Sequence, residues 1–166
     1  MTEKTHDCLV GLGTNLGDKF ANLWEAGKKI KDRCGEIIAS SSIYRSSPWG
    51  YDSENGFLNQ CLLIRTPWLP GELLQRIFRV EQEMGRERRK KEYADRSIDL
   101  DILFYDQLVM DTPDLRIPHP LVGERLFVLK PLLDIAPGYL HPVLQKTVRE
   151  LYHQCPDNLE VTRVIS

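Results

Sequence analysis

The chain has 166 residues, 42% of them hydrophobic, and a formal charge of -2 from 22 Lys and Arg against 24 Asp and Glu. That length suits a single domain spanning residues 1–166, and the near-neutral charge argues against a protein that holds nucleic acid through a general basic surface. No apolar run reaches the roughly 20 residues that span a bilayer, the opening Met1–Asp7 is polar, and Cys8, Cys34, Cys61 and Cys155 form neither a zinc motif nor a disulfide framework, so a cytoplasmic protein with no membrane partner is expected.

Asp7 to Leu12 is short and apolar and runs into Gly11 and Gly13, which predicts a first strand entering a turn. From Phe20 the apolar positions Phe20, Leu23, Trp24 and Ile30 fall at helical spacing, with Asp18 before them and Lys28, Lys29 and Lys31 near the end. Glu36 to Tyr44 and Phe57 to Thr66 read as two strands, separated by a loop holding Pro48, Gly50 and Gly56. After Pro67 and Pro70, the spacing of Leu73, Leu74, Ile77, Phe78 and Met84 predicts a second helix, stopped at Gly85.

Ser97 to Tyr105 alternates, with Ile98, Leu100, Ile102 and Phe104 on one face and Asp99, Asp101 and Leu103 on the other. The remainder holds a Pro-broken loop from Pro113 to Pro120, an apolar stretch Leu126 to Ile135, a short helix around Thr147 to Tyr152 and a last strand near Glu160 to Ile165. Strand, helix, strand, strand, helix, strand is the ferredoxin-like order, an α+β class with a mainly antiparallel sheet and helices on one face.

Asp99 and Asp101 project from the same side of a strand with backbones ~7 Å apart, close enough to share metal ions, and hard oxygen ligands favour magnesium. Alone, such a pair describes a solvated sheet surface equally well. Arg86, Arg88, Arg89, Lys90, Lys91 and Arg96 set cations beside it, as a polyphosphate would require; alone, that run suits a solvated helix end. The GxGxxxG of Gly11 to Gly17 lacks nucleotide-loop spacing and reads as a turn. Phe57, Asn59 and Phe127 could hold a flat heterocycle, although strand aromatics are more often core. His119, between Pro118 and Pro120, is equally a ligand contact or a surface histidine.

Taken together, VGLGTNLGD, YRSSPWG, FLN, GRERRKKEYADRSIDLDILFY and IPHP followed by ERLFVLKPL closely resemble the 6-hydroxymethyl-7,8-dihydropterin pyrophosphokinases of the folate pathway, in order from about Leu9 to Tyr152. The resemblance implies a ferredoxin-like α/β/α sandwich with long mobile loops that close over ATP and the pterin. It further implies transfer of pyrophosphate from ATP to the pterin hydroxymethyl group, with AMP as the other product. Asp99 and Asp101 match the aspartates that hold two magnesium ions, and Arg86 and Arg96 match the catalytic arginines of a mobile loop. Glu81, Arg88, His119 and Arg125 match positions at ATP. Ser46, Trp49, Phe57, Asn59 and Phe127 match positions at the pterin. A monomer acting on these two small molecules is expected.

One stretch departs from the family. Where many members carry a basic residue, Trp, Gly and Pro before the second loop arginine, this chain has Glu92, Tyr93, Ala94 and Asp95, and weaker or differently timed loop closure is expected. Pro120 also stands where some members have Tyr. Two other classes fit parts of the pattern: a two-metal phosphohydrolase or nuclease using the same aspartates, and a binding module presenting Arg88 to Lys91 to RNA.

Overall fold

The computed structural model describes residues 4–48, 56–85 and 97–165. In chain order these form β1 (His6–Thr14), α1 (Lys19–Arg33), β2 (Glu36–Ser40), β3 (Ile43–Ser46), β4 (Phe57–Thr66), α2 (Pro70–Glu83), β5 (Asp99–Tyr105), β6 (Met110–Asp111), β7 (Arg116–Ile117), α3 (Leu126–Ile135), α4 (Val148–Gln154) and β8 (Val161–Ile165). The main sheet runs β5-β1-β4-β3-β8, with β2 also paired to β4, and every pairing in it is antiparallel. With β2 and β3 counted as one broken strand, fourth-first-third-second is the ferredoxin-like order, extended by β8.

The break is chemical. The strand expected over Glu36 to Tyr44 is interrupted at Ser41 and Ser42, where hydroxyls compete for ladder bonds. Ser41 Oγ accepts from Cys61 N at 2.8 Å, and the Asp134 carboxylate accepts from Ser42 N at 3.0 Å.

Helices cover both faces, not one. On the first face α1 and α2 bury Leu23, Ala26, Ile30, Leu73, Ile77 and Val80 against Cys8, Val10, Leu12, Leu58, Leu62, Leu100 and Ile102. Each buried Leu, Ile or Val among them contributes about 1.5–3 kcal/mol on leaving water. Asp18 starts α1 by accepting from Ala21 N, and Pro70 opens α2, where its missing N–H costs nothing.

The second face is covered by α3 and α4, whose Leu129, Leu132, Val148 and Leu151 pack on Leu9, Cys61, Leu103 and Phe104. The stretch Leu126 to Ile135 forms α3 despite Pro131 inside it, with Leu129, Pro131 and Leu132 buried toward the sheet and Lys130 and Asp134 on its other side. No side chain of its own caps α3; Asp157 Oδ2 accepts from Leu126 N at 3.0 Å instead.

The alternation predicted along β5 fails at one point. Leu9 pairs with Phe104 and Val10 with Ile102, so Leu103 is an extra residue in β5. This bulge turns Phe104 to the second face beside Leu103, and Tyr105 to the first. Among the described residues, no helix is long and apolar enough to cross a membrane.

Candidate active site

The second face is only half covered. Beyond the first turn of α3, the ends of β1, β4 and β5 lie open as a pocket lined by Gly11, Gly13, Ser46, Phe57, Asn59, Asp99, Asp101, Leu103, Arg125 and Phe127, among others. Sheet register explains its shape. Gly13 stands between Asp99 and Asn59, and Gly11 between Asp101 and Cys61. Neither glycine adds a side chain between the carboxylates on one side and the amide on the other, although the Leu103 side chain leans over Gly11, 3.4 Å from where a Cβ would sit.

The turn expected at Gly11 and Gly13 is accordingly not there: both lie inside β1. Glycine within a strand marks a turn or a close approach to backbone, and here the second holds. A Cβ on Gly13 would lie 3.6 Å from both Asn59 Oδ1 and the Phe57 ring, ordinary contact for the protein but inside the space open to a ligand. These two glycines were missed as site residues. A signal was present, since a Gly-x-Gly and an Asp-x-Asp on neighbouring strands share one period of two.

Asn59 is 4% exposed, and its Nδ2 donates to Ser46 Oγ at 2.8 Å and to the Tyr44 carbonyl at 3.4 Å. With its hydrogens committed to the protein, the amide is oriented so that Oδ1 lies on the Gly13 side as an acceptor. Phe57 on β4 and Phe127 on α3 approach the same space from two elements. The Arg125 guanidinium carbon sits 5.5 Å from the centre of the Phe127 ring, a cation over an aromatic face.

Asp99 and Asp101 are half-buried on β5. Among the described residues, no group of three or more His, Cys, Asp and Glu could surround a metal ion. Two carboxylates from one strand, facing open floor, would leave most of an ion's coordination to water and substrate oxygens. Magnesium is commonly bound in that way, so the donor set fits it.

His119 does not line the pocket but lies at its edge. The carbonyl freed at the Leu103 bulge accepts from His119 N at 2.9 Å, tying this loop to the end of β5. Its ring Nδ1 accepts from Leu121 N at 3.1 Å. Burial, helped by the nearby Arg125 cation and opposed by Asp99, lowers its pKa to about 4. At neutral pH the ring is uncharged, and with Nδ1 accepting, its hydrogen sits on Nε2.

Glu81, expected at the nucleotide, sits on the first face of the sheet. It is fully buried on α2, and its Oε2 accepts from Leu100 N at 2.9 Å, so it reaches the backbone of β5 rather than the pocket. Trp49, Arg86, Arg88 and Arg96, and the departure at Glu92–Asp95, lie outside the described residues.

Residues 9–137 match the family of 7,8-dihydro-6-hydroxymethylpterin-pyrophosphokinases. A 2-amino-4-hydroxy-6-hydroxymethyldihydropteridine pyrophosphokinase of Aquifex aeolicus is 40% identical over 141 residues, 85% of this chain and 87% of the relative. The enzyme of the same name from Porphyromonas gingivalis is 37% identical over 136 residues, 80% of this chain and 92% of its own. Among solved structures, wild-type Plasmodium falciparum HPPK-DHPS with pteroate superposes with a TM-score of 0.75 at 19% identity, over 93% of this chain and 43% of that one. This chain thus spans less than half of that protein, and the likeness concerns the fold.

Proposed function

Since the chain belongs to the 7,8-dihydro-6-hydroxymethylpterin-pyrophosphokinase family and transfers pyrophosphate from ATP to 6-hydroxymethyl-7,8-dihydropterin in folate biosynthesis, we propose that the pocket between Asp99, Asp101, Asn59 and Phe127 is where it does so. The observation that carries this is the register that sets the two side-chain-free positions, Gly11 and Gly13, between carboxylates on one side and, at Gly13, an oriented amide beside aromatic rings on the other. A polyphosphate needs the first side and a flat heterocycle the second.

In this reading Phe57 and Phe127 sandwich the pterin, Asn59 Oδ1 accepts one of its N–H groups, and Ser46, with Trp49, completes the edge. Asp99 and Asp101 would hold two magnesium ions, which would offset the charge of the triphosphate and leave its β-phosphorus open to attack. Arg125 brings a cation to the phosphates. His119 donates from neutral Nε2, a directed hydrogen bond rather than a second charge. Arg86 and Arg96 supply bidentate contacts as charge shifts during transfer, and Arg88 adds a phosphate contact. Little covalent work falls to the protein, because holding the hydroxymethyl oxygen in line with phosphorus removes much of the entropic barrier. The same reading makes the chain a single cytoplasmic unit acting as a monomer on two small molecules, with no nucleic acid involved.

The test is incubation with ATP, magnesium and 6-hydroxymethyl-7,8-dihydropterin, following nucleotides and pterins by chromatography, with Asp99→Ala and Asp101→Ala alongside. AMP in step with pterin diphosphate, lost in both variants, is expected. ADP or free phosphate as the product would overturn the assignment.

A further inference from the structure

Glu81 is the only charged residue of α2 that is fully buried. An acid in the last turn lies at the end where unpaired carbonyls gather negative charge, so the helix itself disfavours it. Its carboxylate meets the backbone of another element, Leu100 N at 2.9 Å. Leu100 is the residue between Asp99 and Asp101, and β5 is an edge strand, bonded within the sheet to β1 alone. An outward amide buried on such an edge needs an acceptor, and a carboxylate is a strong one.

The entry to β5 is held as well. Thr14 Oγ1 donates to the Ser97 carbonyl, Asn22 Nδ2 donates to Thr14 Oγ1 at 3.0 Å, and Ser97 Oγ donates to the Met84 carbonyl at 3.1 Å. The short span carrying both aspartates is thereby gripped before Asp99 by one set of groups and after it by Glu81. Two ligands on one strand aim at a common point only while the peptide units joining them keep their tilt, and ligand sets tolerate roughly 0.5 Å or 10–20° of error.

We propose that Glu81 is a positioning residue for the aspartate pair, fixing through the Leu100 amide the geometry in which Asp99 and Asp101 bind a divalent cation. This rests on the reading of those aspartates as metal ligands. It assigns Glu81 by reach, not charge, and so separates two conservative substitutions. Glu81→Gln keeps a carbonyl oxygen at the right distance, whereas Glu81→Asp keeps the charge but falls one methylene short.

The experiment titrates Mn2+ as a spectroscopic stand-in for magnesium into the full chain with a non-hydrolysable ATP analogue, following free Mn2+ by electron paramagnetic resonance. Thermal unfolding without metal is recorded for each variant. Glu81→Asp is expected to weaken Mn2+ binding about tenfold, the scale seen when an outer partner of a metal site is lost, with Glu81→Gln near the parent. Glu81→Met, which fills the space without an acceptor, should show the same loss and replaces Glu81→Asp should that variant not fold. Parent-like binding in Glu81→Asp or Glu81→Met despite lowered thermal stability would reduce Glu81 to a core residue and overturn the proposal. Weak binding in Glu81→Gln with strong binding in Glu81→Asp would overturn it in favour of charge. Asp99→Ala separates the premise: if it binds Mn2+ like the parent, the ligand assignment itself falls.

Discussion

The two faces of one sheet do different work. Toward α1 and α2 the central strands present Val10, Leu12, Leu58, Leu62, Leu100 and Ile102, all buried. Toward the pocket, the positions between them are Gly11, Gly13, Phe57, Asn59, Asp99 and Asp101. Because the strand period is two, core positions and pocket-lining positions are interleaved residue by residue on the same three strands. Site groups can then be polar, small or strained for space without thinning the core, since the adjacent residue on each strand anchors the backbone from behind.

Substitutions on opposite faces should accordingly move different observables. The largest effect is expected at Asp101→Ala, where turnover should fall by roughly 10³-fold while thermal unfolding of the metal-free chain changes little; a retained rate would break the division of labour. Next is Leu58→Ala, which lies between Phe57 and Asn59 but points the other way. It should cost about 2–5 kcal/mol in denaturant unfolding with nearly unchanged pterin KM below the unfolding transition, and a large KM change would show the faces to be coupled.

Gly13→Ala sharpens the contrast from the pocket side. Its added methyl meets nothing closer than 3.6 Å, so stability should hold while the pterin KM rises about tenfold, the order of effect of one methyl-sized misfit in a binding pocket. The smallest effect concerns pH. His119 has a folded pKa near 4 against an ordinary 6.5. The unfolded chain therefore takes up its proton first, and this contribution to stability is complete above about 6.5 and lost as pH falls toward 4. His119→Gln should unfold with a shallower pH dependence across that window, and identical slopes would show that burial of the ring is not what titrates.

What could be read from sequence follows from the range of the forces involved. Asp99 and Asp101 were legible because alternation is local and strict up to the bulge. Phe104 was assigned to the wrong face because a bulge depends on the partner strand, which periodicity along one segment does not report. Gly11 and Gly13 read as a turn in sequence because the common meaning of glycine outweighs the rarer one. Three serines from Ser40 to Ser42 carried the signal for the broken second strand, but only their partners Cys61 and Asp134 show its effect. Arg125 came through family likeness alone, and Phe127, a candidate by residue type, could not be brought to Asn59 from sequence, since a helix 68 positions beyond Asn59 forms the opposite wall only once the chain has folded. Glu81 came by the same likeness, and its bond to the Leu100 amide could not be read from sequence, because burial is a property of the packed molecule.

The cap on α3 gives the molecule an order of completion. Asp157, beyond α4, is the group that closes the first turn of the helix bearing Phe127. As the chain emerges from a ribosome, the strands of the floor are available well before that carboxylate has been made. The pocket floor can therefore take shape during synthesis before the α3 wall opposite it receives its cap.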